Sequence, residues 1–586
     1  MINIKEDARL NPLNHSCAHL LAQAVTNLYP DVKLWVGPVV EDGFYYDMDL
    51  GETKLSEDDF PKIEKEMKRL AKDGKRIIGH EYTKKQAEEK YKYNSYKLYL
   101  INKFTENDKI TIYSQGDFSD LCRGGHVESL KELKHFKLLK IAGAYWLNDA
   151  NNKMLTRIYG VCYDEASDLE GHMAYLEECK ARDHRKLGKE LDIFTGHELI
   201  GPGLNIWLSK GATVRRILER YIVDKELSLG YQHVYTPVLA STNLFKISGH
   251  WDHYKDGMFP IMKMDKEEMV LRPMNCPYHM LVFKNNLHSY RDMPIRIGEL
   301  GHDFRYEKSG AVCGLERVRG MCQNDAHLFV RPDQIKQEVD NVVKLILEVY
   351  KDFKITDYKF RLSLRGEDNE KYFKDDQMWE LAENSLRDIL NELGVEYYEA
   401  KDEAAFYGPK VDVQIKTALG HDLTLSTCQL DFLLPRKFEL SYIDENGNKA
   451  VPVVIHRAII GTFERFVAYL LEEYKGALPL WLAPIQVSVI PVHHEQHLAY
   501  AQKIVNELKL LGFRAEINNK NEKLGYRVRE ANAAKIPVQL VVGDKDIENQ
   551  TVALRRFGSR DQVLLSLEDA LKQLNDEVVS RAIFYR

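Results

Sequence analysis

No stretch of this chain approaches the ~18 consecutive apolar residues that a bilayer-spanning helix requires. The opening residues, MINIKEDARL, carry neither the apolar core of a signal peptide nor an Arg- and Ser-rich transit pattern. Cysteine is sparse, with eight in 586 residues and no two in C-x-x-C spacing. That scarcity excludes a disulfide framework and a local zinc knuckle, and makes a reducing cytoplasm the expected setting. Positive charge is not in excess either: 82 Lys and Arg face 89 Asp and Glu, a formal net charge of -7. A protein coated in cations is ruled out, but a local basic groove for nucleic acid is not. Internal repeats and low-complexity tracts are also missing.

What is present is ordinary globular material, 44% hydrophobic and 29% charged. A length of 586 residues exceeds one core, and ~150 residues per domain suggests about four units. Up to about residue 160, strand-like runs (LWVGPVV, GFYYDMDL) mix with charged helices such as FPKIEKEMKRLAKDG. LEGHMAYLEECKARDHRKLGKELDIF has the spaced apolar positions of one long connecting helix. GPGLNIWL opens a large block of helices and strands, and WLAPIQ, around Pro484, reads as a linker. Beyond it VSVIPV, FRAEI, VQLVV and TVALRR alternate with helical stretches, the pattern of a small α/β domain.

Three kinds of chemistry stand out. FRYEKSGAVCGLERVRG, Phe304 to Gly320, places Arg305-x-Glu307 on one strand, a Gly-bearing loop, and Arg317 and Arg319 on the return. Planar guanidinium groups grip phosphate oxygens bidentately, and an acidic neighbour accepts from an adenine amine. Arg465 in GTFERF adds another cation behind a glycine. Cys276, His327 and His456 each offer one metal ligand. Singly such residues usually belong to a packed core, and spacing does not group them; their nucleotide-binding neighbours do. Three protein ligands on zinc leave a fourth position open. At the N-terminus, HSCAH reads as a helix opening capped by Asn14, with His15 and His19 one turn apart. Cys122 and His126 repeat that separation around a Gly-Gly turn. On residue type alone these four are a closed zinc site or two unrelated buried pairs.

FRYE…RVRG resembles motif 2 of the class II aminoacyl-tRNA synthetases and GTFERF their motif 3. The helix and strand ending YQHVYTPVL, with Pro237, resembles motif 1, the dimer-forming element of that class. Within the class, HSCAH, GDFSDLCRGGH, GAYWLND, NNKMLTRIYG, ARDHRKLGKELDIF, SGHWDHYKDGMF, RPMNCPYH, QNDAHLF, FYGPKVD, QLDF and IHRAIIGTFERF are similar to threonyl-tRNA synthetases, in family order along nearly the whole chain. The resemblance implies an α+β multidomain protein. It would have an N-terminal α+β editing domain (1–163), a connecting helix (164–190), a class II antiparallel-sheet catalytic domain (191–482) and a C-terminal α/β anticodon-binding domain (483–586). The family usually begins with a β-grasp domain, which is expected to be missing because His15 is reached almost at once.

The resemblance also implies a reaction: ATP-dependent activation of L-threonine, then transfer to the 3′ end of tRNA(Thr), by a cytoplasmic homodimer with no membrane association. It implies one Zn2+ per subunit on Cys276, His327 and His456, and Mg2+ with ATP. Gln323, Asp325, Tyr407 and Gln429 would hold threonine. Arg305, Glu307, Arg317, Met321, Thr424 and Arg465 would bind ATP, with Arg305, Arg465, His250 and Lys410 assisting catalysis. Met321 stands where the family commonly has phenylalanine, and Thr424 where many members have glutamine. A hydroxyl-reading site can reject near-isosteric valine by ~10⁴–10⁵, whereas serine lacks only a methyl, worth ~1–3 kcal/mol. A second, hydrolytic pocket for seryl-tRNA(Thr), normally metal-free, is therefore implied on His15, His19, Tyr46, Lys97, Asp120, Cys122 and His126. Asn521, Lys523, Lys535, Lys545 and Arg555 match RNA-contacting stretches of the anticodon-binding domain. Three other readings compete: a class II synthetase for proline or serine, a non-catalytic RNA-binding relict, and a deacylase alone.

Overall fold

The computed structural model describes residues 2–583 except 107, 150, 368–371 and 419. Contacts divide the chain into two compact units, Met1–Glu178 and Cys179–Arg586.

In the first unit the helix Leu10–Leu28 packs its apolar face on a five-stranded antiparallel sheet. The sheet runs Lys33–Leu34, Gly43–Asp49, Met154–Tyr163, His135–Tyr145, with Val39–Val40 paired to the second of these. A separate three-stranded sheet (Ile77–Tyr82, Ile110–Gln115, Phe118–Leu121) carries Asp120 at its end. The helix begins earlier than HSCAH, and Asn14 is not its cap. Asp7 Oδ1 accepts from the Arg9 and Leu10 amides instead. Asn14 is fully buried inside the helix, donating to Cys162 O at 2.8 Å and accepting from Cys162 N at 2.9 Å. A polar side chain there is tolerated because it bonds a strand's backbone.

The expected single connecting helix is two, Ala166–Arg182 and His184–Glu190. Asp183 breaks the run because its carboxylate caps the second helix through the Arg185 amide.

The second unit is built on an eight-stranded sheet. Its order is Gln232–His233, Ile295–Phe304, Gly320–Val330, Val453–Thr462, Asp422–Asp431, Lys410–Lys416, Tyr358–Ser363, Tyr397–Ala400. All pairs but the two outermost are antiparallel. The helix Ile335–Asp352 lies along one face, burying Val339, Val342, Val343 and Ile346 in the main core. C-terminal to it, a five-stranded mixed sheet with four helices forms the α/β element expected after residue 483. The presumed linker is not a solvated tether. Trp481, Leu482 and Ala483 are buried in the main core, and Arg514 donates to the Trp481 and Ala483 carbonyls. Its apolar composition drives that burial.

Candidate functional site

The sheet register brings distant residues into one row. His327 pairs with His456, His456 with Gln429, and Gln429 with Lys410. Residues directly opposite share a face, as do residues two apart along a strand. Asp325 and Gln323 therefore join His327 on that face. Cys276 enters from the first turn of the helix Cys276–Lys284. The ligand atoms of Cys276, His327 and His456 lie within 4.8 Å of one another, and all three residues are buried.

Hydrogen bonding fixes the tautomers of the two histidines. His456 directs Nε2 at Asp431 Oδ2, 2.7 Å away, so Nε2 carries its proton and Nδ1 is bare. His279 directs Nε2 at Glu299 Oε2, 3.1 Å away, which leaves His279 Nδ1 as an acceptor. His327 Nδ1 lies 2.8 Å from that atom and must donate, so His327 Nε2 is bare. The two bare atoms face each other at 2.9 Å. Opposed lone pairs at that separation repel unless a cation lies near both. A proton on His327 is disfavoured, since burial and the neighbouring His456 hold that imidazole well below its usual range. Burial, then Asp325 and Asp431, pushes the Cys276 thiol well up, a cost that a bound cation reverses.

Around this centre, Tyr407 stacks on His456 with ring centroids 4.9 Å apart and donates to Gln429 Oε1 at 2.6 Å. Asn275 donates to Asp325 Oδ2 at 2.9 Å. His250 is fully buried, with Nδ1 2.8 Å from Ser248 Oγ and no partner for Nε2 among the described residues. Burial takes its imidazole down to about 3. Lys410 is held by Asp412 at 2.8 Å.

The arginines converge as the sequence suggests, although Arg305 and Glu307 lie just past the strand's end at Phe304 rather than on it. Arg317 and Glu307 form an ion pair at 2.9 Å. Burial, then Arg305, lowers Arg465 from its ordinary value, with Arg317 adding to the effect. Arg305, Arg317 and Arg465 outnumber the Glu307 and Glu316 carboxylates beside them, a surplus of positive charge suited to phosphate. Met321 is buried on the strand Gly320–Val330, and Thr424 accepts from Gln414 at 2.6 Å.

In the first unit the ligand atoms of His15, His19, Cys122 and His126 also lie within 4.8 Å of one another. Positive φ at Gly124 and Gly125 lets the loop turn back onto the helix. The tautomer logic differs here. Ser16 Oγ accepts from Val127 N, which leaves its hydroxyl proton for His126 Nδ1 at 3.2 Å. The ring's own N–H then sits on Nε2, 3.2 Å from Cys122 Sγ. The thiol thus accepts from His126 and from Gly124 N, and it also lies 3.3 Å from His15 Nε2. Burial pushes that thiol up to about 11 and takes His126 down to about 2. Tyr46, Lys97 and Asp120 form a buried triad: Asp120 accepts from Tyr46 and pairs with Lys97, and Lys97 Nζ lies 3.3 Å from Tyr46 Oη. The groove beside Cys122, lined by Val36, Leu100, Lys103, Phe104 and Arg123, has a volume of about 440 Å³.

In the C-terminal sheet region, Asn521, Lys523 and Lys545 are exposed and Arg555 is half-buried. Lys535 differs from them, because its ammonium donates to the Lys475 carbonyl.

Residues 259–474 match the tRNA synthetase class II core domain (G, H, P, S and T), and residues 486–577 match an anticodon binding domain. Residues 110–159 match the threonyl and alanyl tRNA synthetase second additional domain. The threonine–tRNA ligase of Geobacillus kaustophilus is 58% identical over 572 residues, 97% of this chain and 88% of that protein. That of Staphylococcus carnosus is 57% identical over 574 residues, 98% and 89% of the two chains. The chain belongs to the threonyl-tRNA synthetases. A solved RNA-binding domain of threonyl-tRNA synthetase from Cryptosporidium parvum Iowa II is similar at TM-score 0.64 and 34% identity, covering 67% of this chain and 98% of that one. Prolyl-tRNA synthetase from Giardia lamblia, 16% identical at TM-score 0.55 and covering 69% of this chain and 82% of its own, shares the fold.

Within this threonyl-tRNA synthetase chain, the residues absent from the sequence reading stand behind the candidate ligands: Asp431, His279, Glu299 and Asn275. Two had a local signal. His279 follows Cys276 by three positions on one helix, and Asp431 follows Gln429 by two on one strand.

Proposed function

We propose that the chain activates L-threonine with ATP and Mg2+, transfers it to the 3′ end of tRNA(Thr), and hydrolyses seryl-tRNA(Thr) in its N-terminal unit. The observation that carries this reading is the pair of bare imidazole nitrogens facing each other beside Cys276. Two nitrogens and a thiolate suit zinc, and Asp431 and His279 supply the outer bonds that metal-bound histidines require. Cys276, His327 and His456 would hold Zn2+, which would supply a Lewis acid for the amine and hydroxyl of threonine.

The chain's own residues do the rest. Asp325 accepts from the substrate hydroxyl, and Gln323, Tyr407 and Gln429 hold the amine and carboxylate. Arg305 bridges carboxylate and α-phosphate, neutralising charge as carboxylate oxygen attacks phosphorus and the α–β phosphoanhydride bond breaks to release pyrophosphate. Arg317 and Arg465 take the γ-phosphate, and Glu307 exchanges its ion pair with Arg317 for the adenine amine. Met321 and Thr424 line the nucleotide, and Lys410 is a further phosphate contact. His250, kept neutral by burial, has an Nε2 without a partner among the described residues that can accept a hydrogen bond from the ribose hydroxyl and orient it during transfer.

In the N-terminal unit, His15, His19, Cys122 and His126 with the Tyr46–Lys97–Asp120 triad bind the terminal adenosine and orient water. The donor on Cys122 supports a metal-free pocket. Asn521, Lys523, Lys545 and Arg555 contact the anticodon arm. A homodimer through the motif 1 region is supported by Tyr235, 94% exposed beside exposed Val238 and Leu239. Eight free cysteines suit the cytoplasm. The test is ATP–pyrophosphate exchange. Stimulation by threonine and not by proline is expected, and failure to form an adenylate with zinc bound would remove the reading.

A further inference from the structure

Asn275 occupies the N-cap of the helix Cys276–Lys284 yet makes no side-chain cap bond. A capping asparagine ordinarily contributes ~1 kcal/mol by accepting from the first-turn amides. Here the side chain turns away from the helix. Its Nδ2 donates to Asp325 Oδ2 at 2.9 Å and to Asp303 Oδ2 at 3.3 Å. One amide group carries two N–H bonds, and each goes to a different buried carboxylate. Asn275 is fully buried, and its Oδ1 has no partner among the described residues. The far group, Asp303, lies with Oδ1 3.6 Å from Arg272 Nε, and burial pushes its carboxyl up to about 8.

Space for this arrangement comes from the neighbouring strand. A Cβ on Gly301 would lie 2.3 to 2.5 Å from the Asn275 amide atoms, well inside contact distance. Gly301 has no positive φ, so its backbone does not demand glycine. What its position demands is room for the Asn275 side chain. Gly301 is also the register partner of Gln323, two residues from Asp325.

We propose that Asn275 is a positioning residue for side-chain hydroxyl recognition, holding Asp325 so that its carboxylate meets the substrate hydroxyl, with Gly301 as the space that permits it. The proposal rests on the threonine-activating reading above. It assigns to Asn275 and Gly301 the discrimination between β-hydroxy amino acids and aliphatic isosteres, and no part in sensing the methyl group or ATP.

The test measures pyrophosphate exchange with threonine, serine and valine in the unaltered chain and in Asn275→Ala, Asn275→Ser and Gly301→Ala, alongside zinc content. Threonine-dependent exchange in the unaltered chain tests the underlying reading by itself. In the variants, the KM for threonine should rise and the threonine-over-valine preference should fall, each about tenfold, the worth of one charge-assisted hydrogen bond. The threonine-over-serine preference and the KM for ATP should stay within about twofold. Gly301→Ala should reproduce this pattern with Asn275 present, and it carries the test if Asn275→Ala does not fold. The proposal is overturned if threonine-over-valine preference is unchanged in the folded variants. A parallel loss of all three amino acids and of ATP affinity overturns it too.

Discussion

His456 Nε2 and Asp431 Oδ2 stand 2.7 Å apart, both buried, on adjacent strands of the central sheet. That contact decides which nitrogen of His456 is left for a cation. It predicts that Asp431→Ala weakens zinc binding by about 10- to 100-fold while the three candidate ligands remain. Competition against a chromophoric chelator checks this, and unchanged affinity would mean that the bond does not orient the ring.

Loss of the N-terminal histidines should separate two activities. His15→Ala with His19→Ala is expected to leave threonylation within about twofold, because the residues proposed to bind threonine and ATP lie in the other unit. Serylated tRNA(Thr) should accumulate. Undiminished hydrolysis of isolated seryl-tRNA(Thr) by the double variant would remove the assignment.

Acid should loosen that unit. Burial takes His126 down to about 2 from an ordinary 6.5, and His19 falls in the same direction. Between those values the unfolded chain binds the proton and the folded one does not, so stability falls as pH drops below about 6.5, by up to about 1.4 kcal/mol per pH unit for each group. Hydrogen exchange in Leu10–Leu28, corrected for intrinsic rates, should show this loss, and His126→Asn should reduce its slope. A slope unaltered by the substitution would contradict the assignment.

Two lysines of the C-terminal region should behave differently although the sequence treats them alike. Lys523 is exposed, so Lys523→Ala is expected to weaken tRNA(Thr) binding and lower the salt slope by about one. The Lys535 ammonium is spent on the Lys475 carbonyl, so Lys535→Ala should lower the melting temperature with little change in that slope. Filter binding across salt concentrations and thermal melts tell them apart.

Part of this is legible in the sequence because several of the proposed site residues come in compact runs. The motif 2 arginines, the His15/His19 pair and the order of the elements followed from local pattern. The residues that hydrogen-bond the candidate ligands and Asp325 from behind are less legible. Glu299 and Asp303 contribute to the site only through strand register and burial, which a linear reading does not carry. Local rules also misled where tertiary contacts overrode them. Asn14 looked like a cap but bonds the Cys162 backbone, and the WLAPIQ linker is apolar because it is core. Asp183 was a helix breaker hidden in a charged run, since periodicity counts apolar positions and is blind to a cap inside them.

Everything depends on whether two facing imidazoles and one cysteine hold a cation that serves threonine. The most direct measurement is zinc content together with amino-acid-dependent pyrophosphate exchange, before and after chelation and in Cys276→Ala. The account predicts one zinc per chain, exchange stimulated by threonine, and loss of both in the variant. Full threonine-dependent exchange from metal-free Cys276→Ala protein would contradict it.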